Sequence, residues 1–443
     1  MGAMEGEKPG IFWLLVVNTV YALAAIVGWP LYLVLLLTHK KYRSRFWERL
    51  GFVPRFDPRK KRIWVHAISV GEVAAARTFI PALAAALPDH EIVLSTTTMT
   101  GRRRAREVFP DLPVIHFPID LAPCVLAALS RVRPAAVVQV ESEWWPNFFF
   151  LAARLGIPVM IVNLRLTERG LGGYKRIRPL MRAVINSTRA IGVQADLYRD
   201  RLLELGADAA RIRVTGQMKH DGARFAEAIG GAEDLRREVG IEPGAPVIVA
   251  GSTGPGEEAI LLEAFREVRR RHPKARLVIV PRRPENFDAA AEAILAAGMG
   301  LVRRSGGARG GPADAPPVIL GDTMGELMKW YALADVVFLG RSLVPLGGSN
   351  PMEPGSLGKP LLWGPEMFNF PVEAPAMVAA GAARQVSGQA DLARQVNDLL
   401  TDAARRREMG ERARETIRRM QGATARSVEL VVEALDRAGE QTQ

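Results

Sequence analysis

The apolar positions of this chain follow three rhythms. Residues Ile11 to Thr38 are apolar almost without interruption and carry no formal charge. As a helix this run reaches about 42 Å, against a bilayer core of about 30 Å. Asn18 and Pro30 interrupt its apolar character. From Ile63 onward the pattern changes to short apolar runs separated by helical periodicity. Candidate strands are Ile63–Ala67, Ile92–Thr96, Val114–Phe117, Ala135–Val140, Val159–Asn163, Ala190–Gln194 and Arg211–Thr215, with helices such as Glu72–Leu87 and Leu121–Val132 between them. A second series has strands at Val247–Ala250, Leu277–Val280, Val318–Leu320, Val336–Leu339 and Pro360–Trp363, alternating with helices Glu257–Arg271, Met324–Leu333 and Val372–Ala380. Strands alternating with helices predict parallel sheets built from βαβ units. The third rhythm is the tail Leu392–Ala438, helical throughout and rich in Arg/Glu pairs.

The pattern gives an α/β chain of two tandem, doubly wound, Rossmann-like domains behind an N-terminal anchor helix. The expected boundaries are 1–38 for the anchor, 39–222 for the first domain and 234–443 for the second, with the tail in the second. The Gly/Ala-rich stretch 222–233 reads as the linker, and Arg304–Pro317 as a low-complexity loop. A total of 443 residues suits this division.

Charge sharpens the picture. The chain carries a formal +12, and residues 39–62 hold ten Lys/Arg against Glu48 and Asp57, a net of +8. This basic collar follows the apolar run directly. The positive-inside rule puts it, and the chain after it, on the cytoplasmic side of the membrane. A helix lying in one leaflet is the rival to a spanning one. Either arrangement brings the collar to an anionic membrane surface. Nucleic acid is disfavoured as a partner, because no basic, aromatic-studded patch recurs in the body of the chain. The single cysteine, Cys124, excludes an internal disulfide framework and a Cys-rich zinc module.

Candidate chemistry sits in loops that follow predicted strands, the edge at which doubly wound sheets bind ligands. HAISVGEV (His66–Val73) places Glu72 at a helix start, either as a general base or as a favourable helix-terminal charge with no further role. Gly101, after Ser95-Thr96-Thr97-Thr98, opens another helix and could help form an anion site. VESEWWPN (Val140–Asn147) offers Glu141 and Glu143, expected to point to the same side of an extended segment. Two acids this close push their pKa values apart, as acid/base work requires. VTGQMKHD (Val214–Asp221) brings Lys219 and His220 to the end of the first domain, Lys219 being either a cation for an anionic substrate or a solvated surface residue. In the second domain four strand-end turns form a candidate phosphate rim: GSTGPGEE (Gly251–Glu258), VPRRPENF (Val280–Phe287), DTMGEL (Asp322–Leu327), where Asp322 and Thr323 have capping chemistry, and GGSNPMEPGSLGKP (Gly347–Pro360). No Walker A, HExxH, Gly-x-Ser-x-Gly or Asp-x-Asp pattern occurs.

These segments, in this order, resemble the 3-deoxy-D-manno-octulosonic acid (Kdo) transferases of lipopolysaccharide synthesis. The resemblance runs from the anchor to near the C-terminus. It is carried by HAISVGE, VESEWWPN, NLRLTER with Gly173-Tyr174 after it, VTGQMKHD, VPRRPENF, GDTMGELM, SLVPLGGSNPMEP and GPEMFNF. It implies a GT-B fold and an inverting, metal-independent glycosyltransferase without a cofactor. The implied donor is CMP-Kdo and the implied acceptor a lipid A precursor. By motif, Glu72 would be the base, and Glu141 and Lys219 would stabilise the transition state. Pro281, Arg282, Met324, Gly325, Glu326, Asn350, Pro351, Met352 and Glu353 would contact the nucleotide. The chain departs from the common pattern at Gly254 and Ser349, where many members carry His. Two alternatives stand beside this reading: a divergent paralogue using another sugar nucleotide or lipid acceptor, and a membrane-tethered nucleotide-binding protein without turnover.

Overall fold

The computed structural model describes residues 11–38, 46–222, 225, 229–309 and 317–440. The chain forms two compact units, Met1–Gly222 with Met420–Gln443, and Ala223–Arg419.

The first unit is built on a seven-stranded, fully parallel sheet of order β3-β2-β1-β4-β5-β6-β7. Its strands are β1 Lys61–His66, β2 His90–Thr96, β3 Val114–His116, β4 Ala136–Val140, β5 Val159–Leu164, β6 Ala190–Val193 and β7 Ile212–Val214. Every residue of β4 and β5 is buried, as expected of central parallel strands covered on both faces. The strand order reverses between β1 and β4. Ligands gather at such a switch point.

The second unit has an eight-stranded sheet of order β11-β10-β12-β9-β8-β13-β14-β15. The strands are β8 Val247–Thr253, β9 Arg276–Pro281, β10 Leu301–Arg303, β11 Gly307–Arg309, β12 Val318–Leu320, β13 Val336–Leu339, β14 Leu361–Trp363 and β15 Ala383–Gln385. All pairings are parallel except β10–β11. Its switch point lies between β8 and β13. The hairpin β10–β11 and the edge strand β15 were not expected from the pattern. Each of these strands has three residues, too short to show a period. The turn and β11 fall in the first part of the tract read as a loop, whose residues 310–316 lie outside the described set.

The tail does not belong wholly to the second unit. Its last helix, Ala423–Glu440, puts Ala423, Val428, Leu430, Val431 and Ala434 into the first unit's core, against Val73, Ala76, Phe79 and Ile80 of the helix Val70–Ala86. Asp221 holds it there. Its carboxylate accepts from the backbone N–H groups of Gly422, Ala423 and Thr424, at 2.7, 3.3 and 2.6 Å. A carboxylate at a helix start satisfies orphan N–H donors and suits the helix dipole. The sequence shows a helical tail but not which core receives it.

The apolar run forms one helix, Ile11–Thr38, and among the described residues Ile11–Gly28 is long and apolar enough to cross a membrane by length and composition. Of the basic collar, residues 39–45 lie outside the described set. Part of the remainder serves the fold rather than a surface. Arg62 is 1% exposed and bonds Asp57 and Glu91, while Arg59 and Lys60 pair with the same two acids. The Arg62 guanidinium also lies over the Phe56 ring, 5.2 Å from its centroid.

Removing the Asp221 carboxylate should loosen the returning helix. Asp221→Ala is expected to lower the stability of the first unit by about 1–2 kcal/mol in urea unfolding, with Asp221→Asn losing less.

Candidate active site

In the first unit the loops after β1, β4, β5 and β7 meet at the carboxyl edge of the sheet. After β1, Ser69 caps the helix Val70–Ala86. Glu72 completes a capping box, its Oε2 accepting from the Ser69 N–H at 2.9 Å and from the Ser69 hydroxyl. The helix-start reading of Glu72 is therefore realised in the structure. The same bonds hold the Glu72 carboxylate in a fixed position. His66, at the head of the same motif, is wholly buried, stacked on Phe117 at 3.9 Å, and bonded through Nδ1 to the Ser95 hydroxyl at 2.9 Å. Burial drops its pKa to about 3, so it is neutral packing.

After β4 the backbone turns sharply. Glu141 sits at φ 67°, in the left-handed region. The segment is thus not extended, and the expectation that Glu141 and Glu143 share a side by strand alternation fails. Left-handed geometry at a non-glycine residue costs on the order of 1–3 kcal/mol. It persists here because the surroundings fix it. The Glu141 N–H donates to Val162 O at 2.9 Å, and buried Gln139 donates to the carbonyls of Glu141 and Glu143.

Both acids are raised above the ordinary carboxylate range. For Glu141 burial is the main cause; the Lys219 charge opposes it, Glu72 adds to it and Arg165 opposes it. For Glu143 burial and then the Glu72 charge lift the pKa to about 7, with the Trp145 indole acting the other way. Glu143 Oε2 is buried without a hydrogen-bond partner. The Tyr174 phenol is pushed up by burial and by Glu143, which places the Gly173-Tyr174 segment beside the acids. Lys219, exposed on the 3₁₀ turn Met218–Gly222, is the cation whose field reaches Glu141. Glu72, Glu141 and Lys219 thus come together in one electrostatic cluster, with Glu143 and Arg165 as further members.

Asn163, in the segment NLRLTER, organises the cluster, a role that the sequence motif alone does not reveal. Asn163, fully buried on β5 at φ 58°, donates from Nδ2 to Glu141 Oε1 at 3.4 Å and accepts at Oδ1 from the Met218 N–H at 3.0 Å. Its carbonyl accepts from Gln194 at 2.9 Å. A single amide therefore ties the Glu141 loop to the Lys219 turn. The sequence signal was available: Asn tolerates the left-handed region better than most residues, and here it interrupts an apolar strand.

The second unit repeats the device. Ser252, at φ 57°, breaks the β8–β9 register, as Asn163 stands at the break in β5–β6. Four left-handed non-glycine residues, Glu141, Asn163, Ser252 and Arg341, lie at or just past strand ends in the two units. Glu257 clamps two of the second unit's loops. Its carboxylate accepts from the N–H groups of Gly254 at 2.8 Å, Ser342 at 2.8 Å and Leu343 at 2.9 Å, and from that of Arg341. Pro281 ends β9, and the Arg282 N–H donates to Thr253 O at 3.1 Å. The Arg282 charge reaches Glu353, whose carboxyl is raised by burial while Asn350 and Arg282 work against the rise. Asn350 Nδ2 donates to Glu353 Oε1 at 3.3 Å, and Asn350 Oδ1 accepts from the Met352 N–H at 3.0 Å. Pro351 lies between them at the start of a short helix.

The third loop behaves differently. Met324 is exposed and Gly325 takes φ 84°. Burial pushes the Glu326 carboxyl up, but hydrogen bonds from Thr323, Arg304 and Lys329 outweigh it and hold its pKa at about 2. Asp322 does not cap a helix; it accepts from Arg303 Nε at 2.7 Å and from the Ser305 N–H at 2.9 Å. The two departures from the common pattern are absorbed by packing. A Cβ on Gly254 would meet Leu346 Cδ1 at 2.7 Å, and buried Ser349 donates to Gly340 O at 2.7 Å. Among the described residues no group of three or more His, Cys, Asp or Glu is placed to hold a metal ion.

Two units on parallel sheets, each with its candidate residues on loops at strand ends, give the chain the GT-B architecture found in glycosyltransferases. A glycosyltransferase structure from Rickettsia africae shares the fold, with a TM-score of 0.57 at 12% identity over 86% of this chain and 98% of that one. Residues 44–222 match the family model described as 3-Deoxy-D-manno-octulosonic-acid transferase (kdotransferase). The 3-deoxy-D-manno-octulosonic acid transferase of Haemophilus influenzae is 32% identical over 401 residues, 90% of this chain and 93% of that one. That of Bordetella pertussis is 34% identical over 383 residues, covering 83% and 86%. The chain belongs to the 3-deoxy-D-manno-octulosonic acid transferase family.

The raised Glu143 pKa has a stability consequence. Folded Glu143 keeps its proton up to about pH 7, whereas the unfolded residue releases it near 4.5. Between these values the folded state binds more protons, so stability falls as pH rises. Glu143→Gln removes that loss. The gap between melting temperatures at pH 5 and pH 8 should narrow in the variant, and an unchanged gap would contradict the assignment.

Proposed function

We propose that the chain transfers Kdo from CMP-Kdo to a lipid A precursor in lipopolysaccharide synthesis, with inversion and without a metal. The observation that carries this reading is the clustering of Glu72, Glu141 and Lys219 at the switch-point edge of the first unit, in a member of this family.

Glu72 is the base. Its carboxylate takes the proton of the acceptor hydroxyl as that oxygen forms a bond to the anomeric carbon of the donor sugar. The bond from that carbon to the CMP phosphate oxygen breaks, and CMP leaves with the electron pair. One displacement of this kind inverts the anomeric centre. The capping box holds Glu72 in position before substrate arrives, so reorganisation is small. Glu141 faces the positive charge that develops on the sugar ring, and Lys219 balances the negative charge of the sugar acid. On the second unit Pro281, Arg282, Met324, Gly325, Glu326, Asn350, Pro351, Met352 and Glu353 hold the nucleotide. The positive charge that a metal supplies in other transferases comes here from Arg282 and Lys219. The apolar helix and the residues after it keep the enzyme at the cytoplasmic face of the inner membrane, where an anionic lipid acceptor is met.

Incubation with CMP-Kdo and a tetra-acylated lipid A precursor should release CMP and yield a Kdo-bearing lipid. Glu72→Gln should reduce the rate by at least about 10²-fold, the lower end of general-base effects, while leaving CMP binding unchanged. Nucleotide binding without transfer in the wild type would identify a binding protein instead. The rate should be the same with excess EDTA, and a strong loss restored by a divalent cation would overturn the metal-free reaction.

A further inference from the structure

The helix Ile11–Thr38 is not uniformly apolar on its surface. Leu15, Leu23 and Ile26 are exposed at 63, 60 and 72%, whereas Val17 is buried at 4%. Leu14, Val17, Asn18 and Tyr21 share a stripe at helical spacing. That stripe carries the polar groups, and they are engaged by the first unit.

Asn18 and Asn147 exchange two amide hydrogen bonds. Asn18 Nδ2 donates to Asn147 Oδ1 at 2.9 Å, and Asn147 Nδ2 donates to Asn18 Oδ1 at 3.2 Å. Asn147 Nδ2 also donates to the Asp120 carbonyl at 2.7 Å. The Tyr21 hydroxyl donates to Asp120 Oδ2 at 3.2 Å. Asn147 and Asp120 are buried at 0 and 4% exposure. A buried amide costs stability unless its donors and acceptors are met, and this pair meets them reciprocally.

The pair stands at the start of the helix Pro146–Arg154. That helix has no cap of its own: Trp145 at its N-cap makes no side-chain bond, and Pro146 lacks an N–H. Asp120 supplies the cap from a different loop, its Oδ2 accepting from the Asn147 N–H at 3.1 Å and its Oδ1 from the Phe148 N–H at 2.8 Å. The residues immediately before this helix are Glu141 to Trp145. Phe148, in its first turn, packs on Trp64 at 5.3 Å and on Phe117 at 4.7 Å, and Phe117 touches Trp145 at 5.7 Å.

We infer that Asn18 and Tyr21 are positioning residues. Through Asn147 and Asp120 they set the start of the helix Pro146–Arg154, and with it the acid loop Glu141–Trp145. Seating of the apolar helix and shape of the acid loop are then one mechanical event. The first half of the anchor is part of the first unit, not a tether that trails from it. This rests on contacts alone and stands apart from the identity of the sugar transferred.

The test uses the full chain in phospholipid nanodiscs, labelled with 5-fluorotryptophan. The ¹⁹F resonances of Trp144, Trp145 and Trp363 are assigned by single Trp→Phe substitutions. Asn18→Leu removes the amide pair and keeps the helix apolar; Tyr21→Phe removes only the hydroxyl. Both should shift or broaden the Trp144 and Trp145 resonances and leave that of Trp363, in the second unit, unmoved. Asn18→Ala and Asn147→Ala should lower the melting temperature by less in combination than the sum of their separate losses. Unmoved Trp144 and Trp145 resonances in both variants, or strictly additive losses, would overturn the inference.

Discussion

A parallel sheet forces each strand to be followed by a crossover, so all loops that leave strand ends gather at one edge. Everything chemical in this protein depends on that constraint. In the first unit it brings residues separated by almost 150 positions, Glu72 and Lys219, into one field with Glu141. In the second it sets Arg282 in the field of Glu353. None of these residues needs a dedicated scaffold. The edge supplies proximity, and local devices then fix the angles: left-handed residues at Glu141, Asn163, Ser252 and Arg341, and a register break in each sheet.

Carboxylates do two kinds of work in this chain. Asp120, Asp221 and Glu257 are fully engaged with backbone N–H groups and hold loops or helix starts in place. Glu141 and Glu143 are only partly engaged; burial raises their proton affinity, as it raises that of Asp120 despite its backbone donors. The difference lies in the donors that the backbone presents. Helix starts and tight loops expose several N–H groups at once, and a carboxylate placed there is held by them. The loop after β4 instead offers the acids buried surroundings, the field of Glu72 and few donors. Glu72 is intermediate, for it closes a capping box and yet its charge reaches both neighbouring acids.

Much of this was legible in the sequence. The central strands are continuous apolar runs, so β4, β5, β12 and β13 emerge almost to the residue, and the loops after them identify themselves by Gly, Pro and charged residues. What was hidden has a physical reason in each case. Edge strands such as Ala383–Gln385 are too short and too polar to carry a period. The left-handed turn at Glu141 leaves no mark in side-chain alternation, so the two acids were expected on one face. The buried state of Arg62 depends on Asp57, Glu91 and Phe56 converging from different segments. Asn163 could have been found, because an amide inside an otherwise apolar strand has to be satisfied by something. The destination of the last helix could not, since its apolar stripe is compatible with either core and only the three N–H groups that Asp221 collects reveal the choice.

That choice also bears on how the chain is made. The helix Ala423–Glu440 supplies Leu430, Val431 and Ala434 to a core whose other members all precede residue 222. The second unit is thus an insertion within the first. During synthesis the N-terminal sheet emerges first, but it stays open on one flank while roughly two hundred further residues are translated and fold on their own. The exposed strip over Val73, Ala76 and Phe79 is closed only when the final helix leaves the ribosome. The stretch of translation between those two events is when the nascent chain is most exposed to aggregation, and any premature stop before residue 423 leaves the first unit without its lid.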